Sequence, residues 1–210
     1  MNYKFLVALF FLSFICNGQK SFEGIVKFKT EITITDSFNE DLKQNLQKKY
    51  GDSLLVYYSK NGNIKREYLN SKEFGNDIQI FNSDTGEMIF VKKNIEKILK
   101  VDMQQNTLKL LSKRKISNEI IMNLDCECFE YVALSKTNEK LIINYCYSSA
   151  TPRIDYKLYE KYKDFFMDEY FQTTERPYLK YSMQTKKSKL TFIATNIEEK
   201  ILDINEFQLK

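Results

Sequence analysis

Along most of this chain, apolar and polar residues alternate one by one. The stretch Phe22–Ile34 sets the pattern. Phe22, Gly24, Val26, Phe28, Thr30, Ile32 and Ile34 share one face, and Glu23, Lys27, Lys29, Glu31 and Thr33 share the other. A period of two sustained over so long a run predicts a half-buried β-strand. The period then changes. Ser37 and Glu40 have capping-box spacing, Phe38, Leu42 and Leu46 recur every fourth residue, and Gly51 is a natural stop, so a helix is expected over Phe38–Tyr50. Strands are expected at Leu54–Ser59, Ile64–Leu69, Ile78–Asn82, Met88–Lys92, Ile95–Val101 and Thr107–Ser112. The stretches KNGN, NSDTGE, VKKNIE and the polar SKRK, Ser112 to Lys115, serve as turns.

The second half continues in the same style. Leu124–Leu134 and Glu139–Cys146 read as a hairpin, and Tyr178–Thr185, Leu190–Asn196 and Lys200–Ile204 read as three closing strands. Between them, Arg153–Phe171 follows Pro152 and carries Tyr159, Tyr162 and Phe166 at helical spacing, which predicts a second helix. About ten short antiparallel strands in one sheet tend to curl or close. The expected fold is therefore mainly β (α+β): a curved antiparallel sheet, or open half-barrel, with two helices covering its concave face. No linker-like stretch, fixed-period repeat or low-complexity segment divides the chain, so a single domain over residues 19–210 is expected.

The first residues are different in kind. Lys4 precedes an apolar run, Phe5 to Ile15, and Cys16 and Gly18 stand at −3 and −1 of a cut before Gln19. This is the layout of a secretory signal peptide, residues 1–18. The run is shorter than the roughly 20 apolar residues of a membrane span, and no transmembrane span is expected after cleavage. A lipoprotein reading would keep Cys16 as the modified first residue, but Ile15 is larger than that cleavage prefers. The expected location is the periplasm or the outer membrane, or outside the cell.

Composition narrows the chemistry. There is no histidine, which removes the commonest general base and metal ligand and excludes Ser-His-Asp, Cys-His and zinc-protease schemes. The six glycines form neither a P-loop nor a dinucleotide fingerprint. The 28 Asp and Glu residues show no pair that stands out as an acid–base couple. No enzyme, catalytic residue, cofactor or metal is expected. The formal charge of +4 is spread over interspersed charges of both signs, whereas nucleic-acid binding would want a clustered basic stripe.

Three cysteines remain beyond the leader: Cys126, Cys128 and Cys146. On a strand Cys126 and Cys128 point to one face. If Lys136, Thr137 and Asn138 form the hairpin loop, Ser135 faces Glu139 and Cys128 lies across from Cys146. A slip of one residue changes the match, and Cys126 is the competitor for Cys146. In an oxidising compartment such a pair should close into a disulfide. Free thiols, or metal or redox chemistry, are the alternatives, although three thiols without histidine fall short of the usual four ligands.

Aromatic residues crowd the region from Tyr145 to Tyr181. One reading is core filling. The other is a lid over an apolar cavity, for which tyrosine is suited because one end is apolar and the other can stay wet.

Three stretches, SFEGIVKFKTEI, DCECFEYV and RPYLKYSMQTKKSKLTFIATNIEEKILDINEF, together resemble secreted bacterial proteins with lipoprotein-carrier-like folds, close to the GLPGLI-type group. The resemblance implies a half-barrel of antiparallel strands similar to LolA and LolB, whose concave face holds acyl chains. It implies a non-enzymatic envelope protein that binds a lipid or other hydrophobic ligand. Phe28, Ile32, Tyr159, Tyr162 and Phe166 are the candidate ligand-binding residues. The competing expectation is a structural or interaction protein that docks an envelope protein partner.

Overall fold

A computed structural model describes residues 21–35, 40–72, 78–92 and 95–208. The expected leader, Cys16 and the start at Gln19 lie outside these residues, as do Ser37, Phe38 and part of the VKKNIE turn. The strands in chain order are β1 (Gly24–Ile34), β2 (Ser53–Tyr58), β3 (Ile64–Leu69), β4 (Ile78–Asn82), β5 (Glu87–Lys92), β6 (Ile95–Asp102), β7 (Lys109–Ile121), β8 (Leu124–Leu134), β9 (Lys140–Tyr147), β10 (Lys180–Gln184) and β11 (Ser188–Glu199). Helix α1 (Glu40–Tyr50) follows β1, and helix α2 (Met167–Thr174) precedes β10. Two further segments make 3-10 turns before α2, at Tyr156–Tyr159 and Asp164–Phe166.

All eleven strands form one antiparallel sheet in the order β6-β5-β4-β3-β2-β1-β11-β10-β9-β8-β7. The two edge strands, β6 and β7, are neighbours in sequence, joined by residues 103–108. Laid flat, eleven strands would hold their edges about 48 Å apart. Seven peptide steps reach about 25 Å at most. The sheet must therefore curl until its edges approach, and β6 and β7 remain unpaired with each other, which leaves the curl open. This is the curved, open, mainly β architecture expected from the strand pattern.

The alternation in β1 is carried into burial: Gly24, Val26 and Phe28 are buried, while Lys27, Lys29 and Glu31 are exposed. The same alternation runs through β2 and β9. The inner face is covered by residues 148–179, which bury Tyr159, Tyr162, Phe166, Tyr170, Phe171 and Tyr178 against it. Each such ring contributes roughly 1.5–3 kcal/mol by leaving water.

The covering segment is not the continuous helix expected over Arg153–Phe171. Its backbone makes only short turns of its own, with the Tyr162 amide bonded to Tyr159 and the Phe166 amide to Lys163, and is otherwise held by neighbouring segments. The Lys163 amide donates to the Met103 carbonyl at 2.9 Å, and the Tyr145 hydroxyl donates to the Phe165 carbonyl at 2.9 Å. Phe165 and Phe166 then take left-handed conformations, with φ of 55° and 61°, and α2 begins only at Met167. Two bulky residues in succession in that region are strained.

Helix α1 also departs from expectation. It buries none of its residues, because Leu42, Leu46 and Tyr50 make too thin a stripe. Only its last residue joins the aromatic packing, with the Tyr50 ring 5.8 Å from Tyr68 and 6.2 Å from Phe192. Its acidic first turn and basic last turn complement the helix dipole. Gly51 closes it at φ 65°, where a Cβ would meet the Leu69 carbonyl oxygen at 1.8 Å.

Two further expectations are corrected. The polar run SKRK is not a turn but the middle of β7. As an edge strand, β7 presents its polar side chains to water and to neighbouring carboxylates: Arg114 pairs with Glu130 at 2.6 Å and Lys115 with Glu127 at 2.5 Å. The stretch Lys200–Ile204 forms no strand, since β1 already has β2 and β11 on its two sides. It runs into a 3-10 turn, Ile204–Phe207, tied back by Lys65–Glu206 at 3.1 Å.

The hairpin β8–β9 has Ser135 bonded to Glu139 and Cys128 directly opposite Cys146. The two cysteines form a disulfide, with Cα atoms 4.1 Å apart and a sequence separation of 18. Cys126 is free and buried. Replacing both bridged cysteines by Ala should lower unfolding free energy by about 3 kcal/mol, from loop entropy. Urea denaturation of the oxidised wild type and the double variant reads this directly. Equal midpoints would show that the bridge does not restrain the unfolded chain.

Candidate functional site

Curling the sheet over residues 148–179 does not fill the interior completely. A cavity of about 210 Å³ remains between the inner face and the covering segment. Four methionines from distant parts of the chain border it: Met88, Met103, Met167 and Met183. Methionine is unbranched and polarisable, so a wall built of it can re-pack around objects of different shape. Aromatic rings supply the rest. Tyr145, Tyr181, Phe192 and Tyr68 form a continuous row, with centroid separations of 5.2, 5.9 and 6.1 Å. These rings come from β9, β10, β11 and β3, strands that lie apart in sequence but share the concave face.

One cation stands among them. On β3, Ile64, Arg66 and Tyr68 alternate onto the inner face, and Arg66 sits between Val56 of β2 and Gln79 of β4. Its Nη1 donates to the Tyr162 hydroxyl at 2.5 Å, and the guanidinium lies 5.5 Å from the Tyr162 ring centroid. Burial disfavours this charge, but the surrounding tyrosines, Tyr162 foremost, more than offset that, and the Arg66 pKa lies well above the ordinary arginine value. Arg66 is thus a fixed cation. Burial pushes the Tyr162 hydroxyl up to about 12 against the pull of Arg66. Tyr145 and Tyr181 are raised further, again mainly by burial, so these three stay neutral donors at any physiological pH.

The five residues expected from sequence to bind a ligand are not brought together. Tyr162 lines the cavity and stacks on Phe81 at 4.4 Å. Phe166 stacks on Tyr131 at 5.3 Å, Tyr159 packs on Phe171 at 4.3 Å, and Phe28 contacts Tyr178 at 5.4 Å, all behind the lining. Ile32 borders a surface hollow beside α1 together with Gln44 and Lys48. The residues missed include Arg66 and the methionines. Arg66 had a signal, a charge on the apolar phase of a strand. The methionines had none, since no period links them.

Asp164 also borders the cavity and accepts a bond from the Thr107 hydroxyl at 2.9 Å. Burial raises its pKa above the ordinary carboxylate value, with the bonds from Thr107 opposing. Among the described residues, one cluster has metal-type donors: Glu119, Cys128 and Cys146. Its sulfurs are joined in the disulfide and its carboxylate is held by Lys180 at 2.6 Å, so it offers no free thiolate. No helix among the described residues is long and apolar enough to cross a membrane.

No family model and no curated protein matches this chain. Among solved structures it is similar to a domain from Vibrio parahaemolyticus described as an outer membrane lipoprotein-sorting protein. Identity is 7%, the match covers 88% of this chain and 89% of that one, and the TM-score is 0.38. A likeness that low carries no argument about function, and the architecture rests on the strand pairing itself. Membership of the GLPGLI-type group, expected from the sequence, finds no support in these comparisons.

Two outcomes test the site's physics. Tyr145→Phe removes the donor that holds the strained Phe165 carbonyl, and should cost about 1–2 kcal/mol in unfolding free energy. Hydrogen exchange should rise in residues 163–168 before it rises in the sheet; exchange rising uniformly would show that the bond does not hold this segment. Asp164→Asn acts through proton linkage. The raised pKa means that the folded state binds a proton more readily than the unfolded state, so stability falls as pH rises from the unfolded value through the folded one. The variant should therefore be more stable than wild type at pH 7, with the difference shrinking below about pH 4. Thermal melts across that range check it, and a difference independent of pH would point to packing instead.

Proposed function

We propose that this chain is a non-enzymatic, exported envelope protein that holds a lipid or other hydrophobic ligand against the concave face of its sheet. The carrying observation is the cavity of about 210 Å³ behind four methionines and a row of tyrosines. A dry void of roughly 150 Å³ already admits benzene, so an apolar group of that size enters without rearrangement. Full ligand pockets run to about 300–1,000 Å³. A long acyl chain therefore requires the cover to give way, and the cover has the means. Helix α2 has only eight residues, and it follows two strained left-handed residues. The disulfide supports the exported setting, since such bonds persist in oxidising compartments.

A second reading, an interaction protein that docks an envelope partner, draws on the two unpaired sheet edges. There Ile98, Leu99, Leu111 and Ile120 are more than half exposed, and an open edge is a template for strand addition.

A fluorescent acyl probe distinguishes the two. Wild type should bind it saturably, and Met103→Trp, which fills the void from the connection between β6 and β7, should weaken binding at least about tenfold while leaving the circular dichroism unchanged. Absence of saturable binding by wild type, to the probe and to lipids extracted from the envelope, would sink the carrier reading and leave the docking one.

A further inference from the structure

If the cavity is a ligand site, its one cation says what enters it. We infer that Arg66 is an anion-binding post, and that the ligand is an amphiphile with a carboxylate or phosphate-ester head that enters head-first and leaves its chain against the methionines.

The inference begins with an imbalance of charge. Arg66 forms no ion pair among the described residues; its partners are the hydroxyls of Tyr162 and Tyr178. A guanidinium carries five N–H donors in a planar fork, and two neutral hydroxyls leave that fork largely unspent. The guanidinium is enclosed by protein, yet the residue keeps part of its surface accessible, and Arg66 borders the cavity. The Tyr162 hydroxyl is neutral at physiological pH, so it solvates the charge of Arg66 without neutralising it. Placing such a cation on the apolar phase of β3, with Val56 and Gln79 on either side, makes physical sense where an anion arrives from outside.

A second observation is independent of the arginine. The Tyr58 hydroxyl is buried and has no hydrogen-bond partner among the described residues. It feels the charge of Arg66 and the hydroxyl of Tyr178, both of which line the cavity. A buried hydroxyl left idle beside a lone cation is a donor waiting for an acceptor. Tyr58 itself lies behind the lining; in the lining, Arg66, the phenols of Tyr162 and Tyr178 and the amide of Gln79 offer donors of three kinds: guanidinium, phenol and amide. Asp164, the one carboxylate in the lining, accepts from Thr107; it feels the charge of Arg66 but closes no ion pair with it. The rest of the lining is methionine, leucine and aromatic rings, so the site sets a cation in a mainly apolar wall.

The experiment titrates wild-type protein with octanoate, octyl phosphate, octanol and octylammonium, read by calorimetry. The anions should bind roughly ten- to hundredfold more tightly than octanol, the margin of a charge-assisted hydrogen bond, and the ammonium more weakly than octanol. Whichever anion binds tighter names the head. Arg66→Met should abolish the preference of the anions over octanol, and Arg66→Lys should keep part of it. Octanol binding as well as the anions would overturn the anion post while leaving the hydrophobic site standing. Binding of none of the four would remove the site itself. Because the wild-type series decides the matter alone, a variant that fails to fold does not shield the inference.

Discussion

Residues 103–108 carry the chain from one edge of an eleven-stranded sheet to the other, and they are too few to do so unless the sheet is rolled. Much else follows from that reach. A rolled sheet has an inner face that no second sheet can cover, so the apolar phase of each strand must be met by something inserted along the chain. The insert is residues 148–179, placed between β9 and β10. Its backbone is tied to Met103 and Tyr145 instead of continuing as one helix, and it packs rings against the curve. The same connection supplies Met103, whose carbonyl captures the Lys163 amide. The closure of the sheet and the seating of its cover thus meet at one point.

Polar groups inside this interior are handled unevenly. The Tyr145 hydroxyl is used to hold the backbone at Phe165. Among the described residues, the hydroxyls of Tyr58, Tyr131 and Tyr159 are buried without partners, and Arg66 bonds to tyrosine hydroxyls. In a core built for stability alone, phenylalanine and leucine would avoid these costs. A cation without an ion pair, soft methionine walls and a strained cover lie around one cavity, and the idle hydroxyls are buried in the core behind it. Each departs from what packing would prefer, and their coincidence is what separates this interior from an ordinary core.

The disulfide acts on the other face of the sheet. It locks β8 to β9 beside the Glu119–Lys180 pair, which spans from β7 to β10. This clamps the half of the sheet that ends in the long, exposed edge strand β7. That edge is lined with Lys113, Arg114 and Lys115, charges that discourage indiscriminate strand pairing.

Local pattern was enough for the strands and the sense of their faces. Period two in β1 named its buried residues, and counting back from the Ser135–Glu139 turn opposed Cys128 to Cys146, because strand register is arithmetic once a loop is known. Local pattern misled where a tertiary partner outbid it. SKRK looks like a turn until Glu127 and Glu130 lie alongside; Arg153–Phe171 looks like a helix until Met103 and Tyr145 take its hydrogen bonds. The candidate site was the least legible part. Of the five expected residues, three from the aromatic segment and two from the apolar face of β1, only Tyr162 borders the cavity, since density marks where rings pack, and rings that pack well leave no space. By itself the sequence determined a curved antiparallel sheet with one apolar face. The void, its four methionines and its single arginine were decided only in three dimensions, because a cavity is a gap between strands that meet by curling, and no periodicity along one strand records what the strands opposite leave unfilled.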